Sequence, residues 1–433
     1  MADGAIDEYS SQGGMQCVDR SEPVLSFLDP ATNACPFPAY EHLLREQPIH
    51  FDPAANFYIV SRYEDIRRIL TDPKTFGSEA WLDSARETTH SEQTRKMTAR
   101  LEAEGWVPPP NVAMLDDPRH RDIRAIFEGA FRPARVREME EEIRGTARTL
   151  AEALPIDMPC EVVNAFSIPL PLLVMSRQVG VGREDIWRIK HWMDALIDRA
   201  GLMQIPEDEM ESVDLEIEAQ HYFKKVIDRL RGNNDGTVLG DLVNTPLSDG
   251  RTMSDAELLS NLMAAVFLAG TETTTNSISA GIWFLCQQPD LFGRLKSDPD
   301  RYMRTFIEEV LRLESPAQGI FRVVTRETEI HGVTLAAGSV LHLRLGAANR
   351  DDRLFGCPVQ LDLGRKNAGA HLAFGSGIHH CIGAPLARRE LHWAFTSLVE
   401  RFARIGFAPE QKAVDYLPNY MFRSIRKLQV VFQ

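Results

Sequence analysis

One stretch of the chain decides the fold: Phe374-Gly375-Ser376-Gly377-Ile378-His379-His380-Cys381-Ile382-Gly383, which a helical pattern follows from Ala384 onwards. The cysteine lies just before a helix N-terminus, where unpaired amide groups and the helix dipole both favour a thiolate. The glycines let the backbone approach a large, flat partner closely. Cys381 is therefore a candidate ligand for a soft metal ion. A single cysteine in a tight turn is, by itself, more commonly a buried free thiol.

The ten residues taken together are far more specific than the cysteine alone. They resemble the haem-binding pattern of the cytochrome P450 family, Phe-x-x-Gly-x-x-x-Cys-x-Gly, at all its fixed positions: Phe374, Gly377, Cys381 and Gly383. The resemblance implies that Cys381 is the axial ligand of the iron of haem b and that Phe374, Gly375 and Gly383 lie around the cofactor. In that family the thiolate donates electron density that favours O–O cleavage.

A long helix is predicted from Ser254 to Gln288. Ser254 and Glu257 form a capping box at its start, and Pro289 stops it. At 1.5 Å per residue this helix is about 50 Å long and crosses a whole domain. The polar cluster Thr271–Thr275 halfway along it would be costly to bury unless something polar or reactive lies beside it.

Residues 269–274 within this helix resemble the oxygen-activating segment of the same family. The resemblance implies that Ala269 and Gly270 make room for dioxygen above the haem. It also implies that Glu272 and Thr273 are catalytic and help to deliver protons to the bound oxygen. The alternative is that the threonines only bond back to carbonyls of their own helix.

Haem carries two propionates, which need cationic or hydrogen-bonding partners when they are enclosed. Four residues match the positions where the family places such contacts: His120, Arg124, Arg322 and His379. His120 and Arg124 are four residues apart and share one helix face. Each of the four could otherwise be an ordinary surface residue.

Glu309 and Arg312 form a Glu-x-x-Arg pair on a predicted helix. An exposed pair of this kind contributes only about 0.2–0.5 kcal/mol. In the family the pair is buried and structural, and an arginine from a later loop usually joins it. Because this chain has Pro358-Val359-Gln360-Leu361 where relatives commonly read Pro-x-Arg-Phe, we expect Gln360 in place of the third member.

The remaining patterns predict a mainly α chain with a small β region. Helical spacing covers Tyr63–Leu70, Arg119–Phe131 and Pro133–Leu154, Phe57–Val60 resembles a strand, and residues 322–345 are β-rich. The family resemblance implies the triangular-prism P450 fold.

No repeat or linker divides the chain. We therefore expect a single P450 haem domain over residues 21–433, behind a flexible N-terminal segment over residues 1–20.

Composition excludes several classes of protein. The chain has 433 residues, and 48 Lys plus Arg against 62 Asp plus Glu give a formal charge of −14, which argues against nucleic-acid binding. Six scattered cysteines are too few for a disulfide framework and suit a reducing cytosol. The longest apolar run, Leu258–Gly270, is shorter than the roughly 20 residues that span a bilayer. We expect a cytoplasmic protein with no membrane and no nucleic-acid partner.

The resemblance implies a monooxygenase that inserts one atom of O2 into a C–H or C=C bond of a hydrophobic small molecule. No flavin or dinucleotide module follows the cysteine motif, so electrons are expected from a separate ferredoxin with its ferredoxin reductase. A docking site for the ferredoxin is hypothesised at Arg119, Arg121 and Arg135. The alternatives are a peroxide-using or rearranging haem-thiolate enzyme and a non-catalytic haem-binding sensor.

Most segments at the family's substrate-pocket positions are apolar: Trp81, 106–107, 196–203, 265–269, 317–321 and 420–422. Many of these side chains could simply be core. Gln318 is the polar exception, and its amide could orient a substrate carbonyl or hydroxyl.

Overall fold

The computed structural model of the protein describes residues 25–79, 92–203, 206–411 and 413–433. The expected flexible segment at residues 1–20 lies outside these ranges, as does Trp81. Within them the α-helices span Pro30–Ala34, Phe37–Arg45, Tyr63–Thr71, Glu92–Glu104, Arg119–Ala130, Pro133–Glu138, Glu140–Ala153, Pro169–Val179, Ile186–Ala200, Pro206–Leu230, Val238–Asn244, Asp255–Ser260, Ala269–Gln287, Pro289–Ser297, Pro299–Glu314, Leu345–Ala348 and Ala384–Arg401. The predicted mainly α class is confirmed.

The β region is small, as predicted. The strands are β1 Ile49–Asp52, β2 Phe57–Val60, β3 Phe76–Gly77, β4 Pro159–Glu161, β5 Ile320–Val324, β6 Thr328–Ile330, β7 Val333–Leu335, β8 Val340–Leu343, β9 Ile405–Phe407, β10 Asp415–Tyr416, β11 Ile425–Lys427 and β12 Gln429–Phe432. The largest sheet has the strand order β1-β2-β8-β5-β3, in which β2 and β8 pair in parallel and the other neighbours are antiparallel. The described residues also form a three-stranded sheet (β4-β12-β9) and two antiparallel pairs (β6-β7 and β10-β11).

The helical spacing predicted over Pro133–Leu154 is confirmed, but the stretch is divided between two helices. The pattern over Pro133–Leu154 forms two helices that meet at Met139. Glu140, Glu141 and Glu142 fill the first turn of the second helix. Carboxylates stabilise a helix N-terminus, so these three residues favour a new start here over a continuous helix.

The central helix, residues 255–287, is the long helix expected from the sequence. Ser254 caps it, and the capping box with Glu257 is present. Its backbone is π-helical over Asn261–Leu268 and returns to α-helical geometry at Ala269. The sequence pattern does not predict this π segment, which lies immediately before the polar cluster.

Close packing joins the central helix to the C-terminal helix, Ala384–Arg401. A β-carbon placed on Gly281 would lie 2.2 Å from the Phe395 ring, so only glycine allows this approach. Burial raises the pKa of Glu390 to about 8, and the side chain of Thr274, about two turns before Gly281 on the central helix, lowers it. From these contacts, the central helix runs back towards Ala269, and the C-terminal helix runs back towards the cysteine motif.

The Glu-x-x-Arg pair is buried and has a third member, in contrast to the sequence expectation. Arg312 donates to both carboxylate oxygens of Glu309, at 2.6 and 3.0 Å, and neither side chain is exposed. Arg365 places Nε 3.0 Å from Glu309 Oε1. Gln360 contributes only its backbone carbonyl, which accepts from Arg312 and Arg365, while its side chain is exposed. Arg365, five residues beyond the motif position, therefore replaces the arginine that the sequence appeared to lack.

Arg312 is also connected, through Asn349, to the segment that leads into the cysteine motif. Arg312 donates to the carbonyl of Asn349 at 3.0 Å. The Asn349 side chain in turn accepts from the backbone N–H of Leu372 at 2.6 Å and donates to Ser315 Oγ at 2.8 Å. The start of the cysteine motif is thereby bound to the helix Pro299–Glu314.

Replacing Arg365 by Gln is expected to lower the free energy of unfolding by about 2–4 kcal/mol, because a buried carboxylate loses one of its two cations. Gln360→Ala is the matched control and should change stability by no more than about 0.5 kcal/mol. Chemical denaturation of the two variants measures the difference. A larger effect at Gln360 than at Arg365 would contradict this assignment.

Candidate functional site

The cysteine loop, residues 374–383, is held in a compact form. The Cys381 N–H donates to the carbonyl of Phe374 at 2.9 Å. Gly375 and Gly377 have φ of 66° and 69°, a region that favours glycine. A β-carbon on Gly377 would lie 2.0 Å from the Leu70 carbonyl oxygen, so the loop packs directly on the helix Tyr63–Thr71.

The thiol of Cys381 lies just before the N-terminus of the C-terminal helix, as expected, and it is exposed. Burial among the surrounding protein atoms raises the pKa of Cys381, while the backbone N–H groups of Gly383 and Ala384 lower it. Both observations hold if the sulfur faces an enclosed opening rather than bulk water. A bound cation at the sulfur would favour the thiolate outright.

One face of the central helix also borders an opening. Ala265, Leu268 and Thr273 are half-buried and Ala269 is exposed, although this helix is otherwise largely buried. Their spacing of three to four residues places them on one face. Because the two helices lead towards Ala269 and the cysteine loop, we infer that this face and the Cys381 thiol border one internal opening.

Gly270 is half-buried and lies near the helix Pro169–Val179. A β-carbon at Gly270 would lie 3.5 Å from Met175, which is an ordinary van der Waals contact. Ala269 is the more exposed of the two residues, and both remain candidates for the space that the sequence assigns to dioxygen.

Glu272 is buried in a polar network rather than isolated. Its carboxylate accepts from Ser424 Oγ at 2.8 Å and from Asn276 Nδ2 at 3.2 Å, and Lys190 Nζ lies 3.9 Å away. Burial alone would lower the pKa of Lys190, but Glu272 and Asp194 outweigh it and raise that pKa. Since Lys190 also bonds to Asp194, whose side chain is 46 % exposed, ionisable groups lead from Glu272 to the surface.

Thr273 bonds back to its own helix, in agreement with the alternative reading of the threonines. Its hydroxyl donates to the Ala269 carbonyl at 2.7 Å, as that of Thr271 does to Phe267 at 2.8 Å. The two differ in exposure, because Thr271 is buried and Thr273 is half-buried. The oxygen of Thr273 keeps lone pairs that can accept a hydrogen bond on the open face.

The four residues expected at the propionates converge. The His120 and His379 rings lie 4.1 Å apart. Arg124 donates to the carbonyl of His380, next to His379, at 2.9 Å. Burial, followed by the charges of Arg322, His120 and Arg124, lowers the pKa of His379 to about 3.

This cluster fits an anionic partner. Nε2 of His120 is buried and has no hydrogen-bond partner. Burial lowers the pKa of Arg322 to about 10, and in the described part of the chain no carboxylate lies within ion-pair distance of it. Two propionates would supply the missing acceptors and charge, so the residues present fit haem.

Gln318 cannot act as proposed from the sequence. Its amide donates to the carbonyls of Glu314 and Ser315, at 2.8 and 2.6 Å, and its carbonyl oxygen accepts from Tyr40. Because the side chain is buried and already has partners at both ends, it holds the backbone and is not available to a substrate.

Phe321, at another predicted pocket position, is also core. It packs against Phe57, with ring centroids 5.3 Å apart, and against His342, with centroids 4.8 Å apart.

Comparison with known proteins agrees with this site. A sequence model described as Cytochrome P450 matches residues 215–422. The cytochrome P450 monooxygenase PikC of Streptomyces venezuelae is 30 % identical over 419 residues, which cover 95 % of this chain and 94 % of PikC. The structure of P450BioI with hexadec-9Z-enoic acid ligated acyl carrier protein is 28 % identical at a TM-score of 0.80 and covers 92 % of this chain and 98 % of that one. CYP109E1 from Bacillus megaterium with testosterone is 26 % identical at a TM-score of 0.76, over 92 % and 99 %.

An exposed cysteine at a helix N-terminus, beside a cluster of two arginines and two histidines, is the arrangement expected of a haem-thiolate protein. The chain belongs to the cytochrome P450 family. It has the P450 fold of the bacterial-type members, and it is an oxidoreductase that incorporates oxygen with the help of a redox partner. None of the helices in the described ranges is long and apolar enough to cross a membrane.

Gly377→Ala is expected to abolish most haem incorporation, because the new methyl group would collide with the Leu70 carbonyl at a backbone conformation that L-residues avoid. The haem content of the purified protein, measured against its total protein, tests this. Gly356→Ala is the control, since nothing lies within 4 Å of a β-carbon there. Full haem content in Gly377→Ala would contradict the packing described here.

Proposed function

We propose that this chain binds haem b through Cys381 and hydroxylates or epoxidises a hydrophobic small molecule with one atom of O2. One observation carries the proposal: the exposed thiol of Cys381 lies at the start of the C-terminal helix, and Arg124 of the arginine–histidine cluster bonds to the carbonyl of His380 beside it. Bound haem supplies the redox chemistry and oxygen activation. The chain supplies the ligand, the enclosure, the protons and the orientation of the substrate.

The cofactor-binding roles are assigned residue by residue. Cys381 would bind the haem iron through its sulfur, with Phe374, Gly375 and Gly383 in the loop around it. A β-carbon on Gly383 would lie 3.9 Å from the Cys381 sulfur, so this position leaves space beside the thiolate. The propionates are held by the cluster described above: His120, Arg124, Arg322 and His379.

Protons reach the site through Glu272 and Thr273. Glu272 takes them from the surface by way of Lys190 and Asp194, whose contacts support such a relay. Thr273 lies one residue beyond Glu272 on the open face, where its hydroxyl oxygen can accept a hydrogen bond and so help to deliver a proton to the oxygen substrate. Ala269 leaves room for it.

The substrate is apolar over most of its surface. Ala265, Leu268 and Ala269 contribute no polar side-chain atom to the opening. Two P450 neighbours, one in complex with a fatty acid ligated to acyl carrier protein and one in complex with testosterone, support a hydrophobic substrate of this kind.

Electrons come from a ferredoxin with its reductase. Arg121, whose side chain is 76 % exposed, and half-exposed Arg119 remain candidates for the docking surface, each paired with one carboxylate. Arg135 is removed from that hypothesis, since it is mostly buried against Asp241 and the Gly236 carbonyl. Charge complementarity would bring an acidic ferredoxin to this patch.

We further propose one haem domain over residues 21–433, working in the cytoplasm, where reduced ferredoxin would be available. Cys160, Cys286, Cys357 and Cys381 carry free thiols, as a reducing compartment favours. Cys35, by contrast, is disulfide-bonded, which departs from that expectation.

The decisive test is the absorbance difference spectrum of the reduced protein with carbon monoxide. The strongly red-shifted band of a thiolate–CO complex is expected, and Cys381→Ser should lack it. Ferredoxin-dependent oxidation of reduced nicotinamide with formation of oxygenated product then separates a monooxygenase from the alternatives. Product formed from peroxide alone indicates the peroxide-using reading, and haem binding without turnover indicates a sensor.

Thr273→Val should lower the yield of oxygenated product per reduced nicotinamide oxidised by about tenfold or more, because proton delivery at the open face is lost. Thr271→Val is the control, as that hydroxyl makes the same bond to its own helix but is buried away from the opening. Product analysis against cofactor consumption measures the ratio. An equal loss in both variants would show that only the helix bond matters.

A further inference from the structure

A second buried ion cluster lies behind the cysteine loop and has no role in the proposed reaction. Glu308, adjacent to the Glu-x-x-Arg glutamate, is buried and accepts from Arg388 Nε at 2.6 Å and from a second guanidinium nitrogen at 3.0 Å. His371 Nε2 lies 3.0 Å from the same carboxylate. Burial alone would raise the pKa of Glu308, but its bonds to His371 and Arg388 outweigh it and hold that pKa at about 2.

The charges in this cluster balance. The Ala373 N–H donates to Nδ1 of His371 at 3.2 Å, so Nδ1 carries no proton and Nε2 is the donor to Glu308. His371 is therefore a neutral imidazole. The cluster contains one carboxylate and one guanidinium, and removal of either leaves a single net charge.

The guanidinium of this pair reaches the cysteine loop. Its carbon lies 4.4 Å from the centroid of the Phe374 ring. The carbonyl of Phe374 accepts a hydrogen bond from the Cys381 N–H. Arg388 therefore contacts the residue that is hydrogen-bonded to the proposed metal ligand. Glu308 and His371 fix the position of Arg388 there, although its side chain is 37 % exposed.

We propose that Glu308, His371 and Arg388 are positioning residues that set the reduction potential of the haem iron by holding one balanced charge pair behind the cysteine loop. This inference rests on the proposed binding of haem at Cys381. The iron gains one negative charge on reduction. An unbalanced positive charge nearby therefore raises the potential, and an unbalanced negative charge lowers it.

The test is a reductive titration of the purified haem protein with dithionite. Glu308→Gln should raise the potential and Arg388→Gln should lower it. Each change should be on the order of tenfold in the equilibrium constant, or about 59 mV for a one-electron couple. The double variant removes both charges and should return close to the wild-type potential. Arg389→Gln is the matched control, since this neighbouring arginine pairs with Glu140 and is 43 % exposed; it should leave the potential unchanged.

A purely structural cluster gives a different pattern. Shifts of the same sign in both single variants, no shift in either, or a larger shift in the double variant would overturn the proposal. If Glu308→Gln does not fold, Arg388→Gln still tests the sign, and Glu308→Asp, which keeps the charge, should keep the potential. A normal thiolate–CO band with unchanged potentials refutes only this role. Absence of that band in the wild-type protein refutes haem-thiolate binding and this inference with it.

Discussion

The guanidinium of Arg312 is the contact on which the site depends. It is fully buried, and its donors are divided between the Glu309 carboxylate and the backbone carbonyls of Asn349, Pro358 and Gln360. A buried charge that loses one partner keeps its desolvation cost, so these contacts hold or fail together. Through Asn349, the position of the cysteine loop is coupled to the helix Pro299–Glu314. Cys381 is thus positioned by a core ion pair as well as by the backbone bond within its own loop.

Two sets of buried polar and charged groups differ in the partners that they find within the chain. Glu272 has hydrogen-bond donors and a nearby lysine within the chain. Among the described residues, Arg322 has no carboxylate within ion-pair distance, and Nε2 of His120 has no hydrogen-bond partner, although its Nδ1 lies 3.5 Å from Asp117. Such groups destabilise the protein alone, and an anionic ligand that pairs with them stabilises the folded state by mass action. Folding and cofactor binding are therefore expected to be coupled on this side of the opening.

Much of the fold and the core of the site could be predicted from local sequence. The cysteine loop, the capping box at Ser254 and strand β2 depend on neighbouring residues, and short patterns describe them well. Arg365 could not be assigned, because its contact with Glu309 joins residues far apart in the chain and five positions from the family motif.

The direction in which a residue faces and the partners that it contacts could not be predicted from the sequence either. In the sequence, Gln318 is one polar residue among apolar neighbours. Only the fold shows that its side-chain carbonyl already accepts a hydrogen bond from Tyr40. Gly270 is part of the small pair in the motif, and only the fold shows that Met175 lies 3.5 Å from the position of a β-carbon there. Contacts across the core decide these points, and a pattern along one helix does not contain them.

The π-helical segment before Ala269 determines which way the side chains of the following α-helix face. Each residue advances an α-helix by about 100°, so one residue added or lost within Asn261–Leu268 would rotate the rest of the central helix by about that amount. The motif would be unchanged in sequence, but the side chains of Ala269, Glu272 and Thr273 would face different neighbours. Two homologues with identical oxygen-side motifs can therefore differ in chemistry because of the length of an apolar segment that no motif includes.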